Sequence, residues 1–255
     1  MTQKKAAAGQ IPAIVELLQV DSTNNYALSR IREGLAYHGM GIFAHEQLAG
    51  KGQRGKKWLS LPDQNIYLSL IIGPNPLILT DLFVLSALVA VETRKFLAEK
   101  VPGNWFIKWP NDIYFQDRKA VGMLIENIIN GQNWKWAVAG IGVNVNQDRF
   151  PEDLKRAVSL KMISGENYDC LVLATELAGR IFNALAALKS DVERSVRENL
   201  EEYNAHLFMK DEEINFEENE AVRTGRVLEV TREGQLVVQT EKRNYFDFGE
   251  IKWIV

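Results

Sequence analysis

Residues 107–127 read IKWPNDIYFQDRKAVGMLIEN, a run in which a lysine, an aromatic ring, a Pro-Asn turn and an acid fall side by side. Lys108, Trp109, Asn111 and Asp112 form the first group, and Lys119 follows at the mouth of the apolar stretch 120–129. That stretch has the composition of a strand entering a core. An ammonium at such an edge is costly unless an anion meets it, so Lys119 is a candidate anion-binding residue. The plainer alternative is a solvated hairpin whose polar tip is Asp117, Arg118 and Lys119.

A second concentration of chemistry lies at residues 50–58, GKGQRGKKW, where three glycines alternate with four cations. Glycine lets a backbone approach phosphate oxygens closely, and the cations neutralise them. Three motif matches here and elsewhere fail on context. Gly50, Gly52 and Gly55 fit G-x-G-x-x-G, but a turn and the alternating run 66–70 follow, not a helix. Lys57 stands where a phosphate-binding Walker loop needs Ser or Thr for magnesium. Asp247-Phe248-Gly249 spells a kinase triplet with only six residues after it and no H-R-D loop before it. A solvated basic connector is the competing reading.

Residues 21–25, DSTNN, precede a helical run that Gly34 would end. Ser22 or Thr23 serves as a cap, but one cap does not explain four polar residues in a row, which also suit a polar ligand. Gly140 and Gly142 leave room for something to pack closely in the strand-like run 134–145, whose end carries Asn144 and Asn146.

The elements that must hold these groups follow from periodicity. A strand ends at residues 43–47. Thr80 and Asp81 cap a helix with Leu85, Leu88, Val89 and Phe96 on one face, closed by Lys100 and Pro102-Gly103. From Asp169 one long amphipathic helix is predicted through Leu173, Leu177, Ile181, Leu185, Leu188, Val192, Val196 and Leu200. Beyond Tyr203-Asn204 the pattern changes to short strands at 213–216, 221–230, 235–240, 244–248 and 251–255, read as a small barrel.

Composition bounds the rest. The 255 residues suffice for a large domain or two modest ones, and a net charge of −3 gives no bulk nucleic-acid footprint. The single Cys170 excludes an internal disulfide and suits a reducing compartment. The longest apolar run, 82–91, is too short to span a bilayer, and the start MTQKKAAAGQIPA has no apolar leader. A cytoplasmic protein acting away from membranes is expected.

Taken in order, DSTNN, EQLAGKGQRGKKW, KWPND…RKAVG and GIGVNVN, followed by a small β unit, closely resemble the biotin protein ligases of the biotin–[acetyl-CoA-carboxylase] ligase type. The resemblance implies ATP-dependent activation of biotin to biotinyl-5′-AMP, then transfer to one lysine of a biotin carboxyl carrier protein. It implies an α+β fold, with a mixed sheet backed by helices over residues 1–203, of the type shared with class II aminoacyl-tRNA synthetases. A small SH3-like barrel over residues 204–255 completes that expectation.

Ser22, Thr23, Asn24 and Gln47 match positions that hydrogen-bond biotin. Gly50, Lys51, Gly52, Gln53, Arg54 and Lys56 match the loop closing over the biotin carboxylate and the phosphates. Lys119 matches the lysine between carboxylate and α-phosphate, with Gly122 allowing backbone approach. Lys108, Trp58, Asn111, Asp112 and Asn144 fall at the nucleotide end, with Asp112 as the Mg2+ candidate. The resemblance thus assigns catalysis to Lys119, Asp112 and Arg54.

This loop has Lys51 and Gln53 where the family's familiar form has arginines, which loses bidentate geometry and one charge. The biotin motif begins at Ser22, pointing to the monofunctional form without a DNA-binding domain. Homodimers are common among relatives. Three rivals stay open: a lipoate–protein ligase, a nucleic-acid-binding module, and a catalytically dead biotin binder.

Overall fold

The computed structural model describes residues 13–188 and 190–254, and in it the sequence patterns become two sheets with helices packed on the first. The first part of the chain forms β1 (Ala13–Val20), α1 (Thr23–Arg32), β2 (Met40–Gln47), β3 (Asn65–Ile72) and α2 (Leu82–Lys100). Then come β4 (Trp105–Lys108), β5 (Asp112–Phe115), β6 (Arg118–Asn130) and β7 (Asn133–Asn144). Helices α3 (Leu160–Ser164), α4 (Cys170–Ala187) and α5 (Val192–Ala205) follow. Strands β8 (Glu213–Glu218), β9 (Ala221–Val230), β10 (Leu236–Gln239), β11 (Arg243–Phe246) and β12 (Ile251–Ile254) end the chain.

The larger sheet has the order β1-β2-β3-β7-β6-β5-β4; β1 runs parallel to β2 and every other neighbour is antiparallel, so it is mixed. Every residue of β3 is buried, since α1 packs against it and so does α4. A strand covered on both faces reads as a continuous apolar run, which NIYLSLII nearly is. The main core joins Phe43, Leu68 and Leu70 of the sheet to Leu85, Leu88 and Phe96 of α2 and to Leu177 and Ile181 of α4. A satellite cluster of Ala27, Ile42, Ile71 and Val138 lies under α1.

Several expectations change. The predicted helix from Asp169 to Leu200 is two helices, because the chain turns between α4 and α5. Asp191 accepts a hydrogen bond from the Arg194 N–H and caps the second one; an uninterrupted apolar period does not register such a turn. Strand β1 was not anticipated. It is an edge strand, half-exposed, with Leu18 pointing to solvent at 82% exposure, so it lacks a clean alternation. Asp81 does sit at the N-cap of α2, but its carboxylate accepts from the Ile78 N–H and pairs with Arg232 at 2.9 Å. Helix α4, with mean hydropathy 1.4 over 18 residues, is long and apolar enough to cross a membrane. Thr175, Glu176, Arg180 and Asn183 interrupt its apolar run, and Leu173, Leu177 and Ile181 face the core. Residues 1–12, the stretch scanned for a leader, lie outside the described residues.

The C-terminal strands have the order β11-β10-β9-β8-β12, all antiparallel, and among the described residues no ladder joins β11 to β12. The five predicted strands are present, but as an open sheet and not a closed barrel. Directional contacts tie it to the first unit: Trp109 Nε1 donates to the Gly234 carbonyl at 2.9 Å, and Asn204 exchanges two hydrogen bonds with the Val230 backbone at 2.7 and 2.9 Å. These contacts hold the C-terminal sheet beside the KWPND turn.

Candidate active site

A cavity of about 650 Å³ opens between the larger sheet, the 50–58 loop and the C-terminal sheet. Its polar end is built where α1 begins. Ser22 occupies the N-cap without making a side-chain cap bond and lines the cavity with Thr23 and Asn24. The Thr23 N–H donates to Gln47 Oε1 at 2.8 Å, with the Thr23 hydroxyl 3.1 Å from the same oxygen. Gln47 is the last residue of β2, so this pairing joins a strand end to a helix start. Ser69 of β3, which sequence reading missed, stands behind them, 2.7 Å from Thr23 Oγ1 and 2.6 Å from Asn24 Oδ1. A lone serine inside an apolar strand gave no signal beyond its polarity.

The opposite end carries the charges. Lys119 lies at the start of β6 and Asp112 at the start of β5, and the hairpin brings Lys119 Nζ to 2.7 Å from Asp112 Oδ2. The anion demanded by the lysine's position is therefore Asp112. Both side chains keep part of their surface, 33% and 23%, so the pair remains open to exchange partners. Asn111 is held against β6: its side-chain amide donates to the Met123 carbonyl, and its own carbonyl accepts from the Met123 N–H at 3.0 Å. Asn144 Nδ2 donates to the Val158 and Lys119 carbonyls at 3.2 and 3.4 Å, clamping the segment after β7 onto β6.

The basic loop crosses between the two ends as a tight hairpin. Gly52 donates to Lys56 at 2.7 Å and Trp58 to Gly50 at 2.9 Å, backbone to backbone. Gly50 does not line the cavity; a side chain there would collide with the Trp58 carbonyl, so glycine is what lets the hairpin close. Lys51, Gly52, Gln53, Arg54, Lys56 and Trp58 do line it. Arg54 has a left-handed backbone (φ 54°), and its guanidinium lies 5.0 Å from the Phe248 ring centre. The room left by Gly122 and Gly142 is taken by the Trp58 indole, and that left by Gly140 by the Asn24 amide. Among the described residues Trp58 Nε1 is buried without a partner, a donor that an acceptor on a bound molecule would satisfy.

Lys108 is elsewhere. Its ammonium sits within 4.9, 5.5 and 5.8 Å of the ring centres of Tyr114, Trp253 and Phe208, outside the cavity lining. Burial is the larger influence and pulls its pKa down to about 8, against the opposing pull of Asp112. Burial likewise pushes the Tyr114 and Tyr203 phenols up, Asp112 adding to both.

Sequence reasoning also missed the contribution of the C-terminal sheet: Glu217, Asn219, Phe248, Gly249, Glu250 and Lys252 line the cavity. The Asp-Phe-Gly triplet dismissed as coincidence supplies two of them. Among the described residues no group of three His, Cys, Asp or Glu is placed to hold a metal ion. A second groove of about 840 Å³ runs along α2, α4 and α5, but its Arg180 is already paired with Glu92 and Glu99.

A model of the biotin/lipoate A/B protein ligase family matches residues 17–144. The bifunctional ligase/repressor BirA of Escherichia coli (strain K12) is 34% identical over 194 residues, 73% of this chain and 58% of that protein. The biotin–[acetyl-CoA-carboxylase] ligase of Paracoccus denitrificans is 34% identical over 131 residues, 51% of this chain and 53% of that one. The chain thus spans about half the length of the curated relatives it matches. The biotin protein ligase of Aquifex aeolicus, solved in complex with biotin and ATP, is similar with a TM-score of 0.78 at 28% identity, covering 95% of this chain and 98% of that one.

Proposed function

This chain belongs to the biotin/lipoate A/B protein ligase family, and we propose that within it the chain is a biotin protein ligase, joining biotin to AMP and then to a lysine of a biotin carboxyl carrier protein. One observation carries the reading: a neutral hydrogen-bonding set and an anion-binding set face each other across a single cavity, bridged by a basic glycine loop. Biotin has that polarity, a urea at one end and a carboxylate at the other.

In the first step a biotin carboxylate oxygen attacks the α-phosphorus of ATP, and the bond to pyrophosphate breaks. Lys119 neutralises both approaching anions, leaving Asp112 as they arrive, and stabilises the charge that grows in the transition state. Arg54, Lys51 and Lys56 add positive charge from the loop, and the Trp58 N–H adds a donor. Asn111 and Asn144 keep the turn and strand carrying this pair in place. Lys108, outside the lining, supports the turn from behind. In the second step the amine of the acceptor lysine attacks the mixed-anhydride carbonyl, AMP departs, and the amine gives up a proton. Mg2+ supplies neutralisation of the phosphates when bound. Asp112 fits it, since this cation needs only one or two carboxylates beside phosphate oxygens and water.

The same reading divides the chain at residues 203/204 and takes the C-terminal strands as an SH3-like unit that closes one side of the site. It places the enzyme in the cytoplasm, consistent with a single cysteine, acting without nucleic acid or membrane. Lipoate is the rival substrate, but it offers no urea to the residue 22–24 and 47 set. Labelled pyrophosphate exchange into ATP, run with biotin and with lipoate, decides. Exchange with biotin alone is expected; exchange with lipoate alone would overturn the substrate, and none with either would overturn the ligase reading.

A further inference from the structure

Both ends of the Asn24 amide are engaged, and the carboxylate that holds its NH2 falls beyond the KWPND…RKAVG motif. Its Nδ2 donates to Glu126 Oε2 at 2.7 Å and to the Leu124 carbonyl at 3.3 Å, both on β6, while its Oδ1 is 2.6 Å from Ser69 Oγ. Gly140, paired with Ser69 on one side and Leu124 on the other, has no side chain to obstruct this span. Resting on the biotin ligase reading above, we infer that Glu126 is a positioning residue that sets the donor–acceptor polarity of the urea-binding end.

A hydroxyl has one proton to give, yet Ser69 has oxygens of both Thr23 and Asn24 within bonding distance, and Thr23 has both Ser69 and Gln47. Two acceptors, Glu126 and the Leu124 carbonyl, hold the NH2 of Asn24 on the β6 side, so its oxygen must face Ser69. The Ser69 proton then goes to Asn24, and the Ser69 oxygen is free to accept from Thr23. With its proton so directed, Thr23 leaves Gln47 Oε1 bound only by the Thr23 N–H, with its second lone pair available. Thr23 Oγ1 and Gln47 Oε1 thus present acceptors, which the two N–H groups of a urea require. Turning the Asn24 amide over reverses the chain: Asn24 donates to Ser69, Ser69 to Thr23 and Thr23 to Gln47. Gln47 Oε1 then has both lone pairs filled and Thr23 Oγ1 one of its two, so this end offers a urea fewer acceptors. Glu126 disfavours that state, because it would face a carboxylate with an amide oxygen.

The test is steady-state adenylation by pyrophosphate exchange, with KM for biotin and kcat separated, beside thermal melting. Glu126→Ala is expected to raise the biotin KM by about tenfold or more, the order of one lost charge-assisted hydrogen bond, with kcat at saturating biotin near wild type. Glu126→Gln keeps an acceptor for Asn24 and is expected within about threefold of wild type by the same measure. Asn24→Asp sets two carboxylates together and is expected to weaken biotin binding, while Asn24→Asp with Glu126→Gln restores a donor between them and recovers it. An unchanged biotin KM in Glu126→Ala overturns the inference with the ligase reading intact. So does an equal loss in Glu126→Gln, or a double variant no better than Asn24→Asp. If Glu126→Ala does not fold, the last comparison decides. Absence of biotin-dependent exchange in the wild type overturns the ligase reading itself.

Discussion

Replacing Lys119 by alanine would separate its proposed catalytic role from its architectural one, because the two carry very different magnitudes. Among the described residues Lys119 makes one ion pair, to Asp112 at 2.7 Å, with a third of its side chain exposed. A pair that accessible contributes about 0–1 kcal/mol to stability, and in a chain of this size that moves Tm by no more than roughly 4 °C. The backbone anchors are unaffected, since the Lys119 N–H donates to Arg156 and its carbonyl accepts from Val158 whatever the side chain. Removing a preorganised group from developing charge, by contrast, costs about 10²–10³ in rate. Pyrophosphate exchange at saturating biotin and ATP should therefore fall by at least that factor, beside a melting curve within a few degrees of wild type. Lys119→Arg should lie between, keeping the charge but not its compact geometry. Exchange within tenfold of wild type in a folded Lys119→Ala protein would show that the charge is not used in the transition state. A loss of exchange accompanied by a collapse in Tm would refute the claim that the residue is structurally minor.

Three further outcomes follow from the same geometry. Lys108 has its pKa lowered to about 8 by burial, so between that value and 10.5 the unfolded chain binds the extra proton and wild-type stability rises with pH. Lys108→Met should melt higher than wild type at pH 7, with the gap narrowing by pH 10; no narrowing would place the ammonium's stability in the three surrounding rings. His45 bridges Glu16 and Asp63 at 2.7 and 2.6 Å, and these bonds raise its pKa, that to Glu16 first. Its contribution is therefore full below 6.5 and lost as pH rises through the raised value. His45→Gln should lower Tm at pH 5.5 but not at pH 9, and an equal loss at both would refute the pairing. Gln53→Arg should slow release of biotinyl-AMP from the closed loop, checked by rapid dilution of the preformed complex; an unchanged release rate would leave the loop's charge without that role.

The sequence by itself determined many of the local elements and which residues could meet an anion or a polar ligand. Strands β2, β3, β6, β7 and the five short C-terminal ones follow from apolar runs and turn residues, and α2 from its caps and apolar face, because periodicity and caps act over a few residues. Lys119 was legible for the same reason: a charge at the edge of an apolar strand states that it needs an anion. The sequence could not say that the anion is Asp112, since that depends on the β5–β6 register, or that one apolar period spans two helices. It could not show Ser69 and Glu126 behind Asn24, which lie 45 and 102 residues further along the chain. Nor could it show that Phe248 and its neighbours wall the cavity, or that Lys108 turns away into an aromatic cage. Those facts belong to the tertiary structure alone. Hydrogen bonds of about 3 Å and ring contacts of about 5 Å are decided by which strands become neighbours, and strand order in this sheet is not the order of the chain.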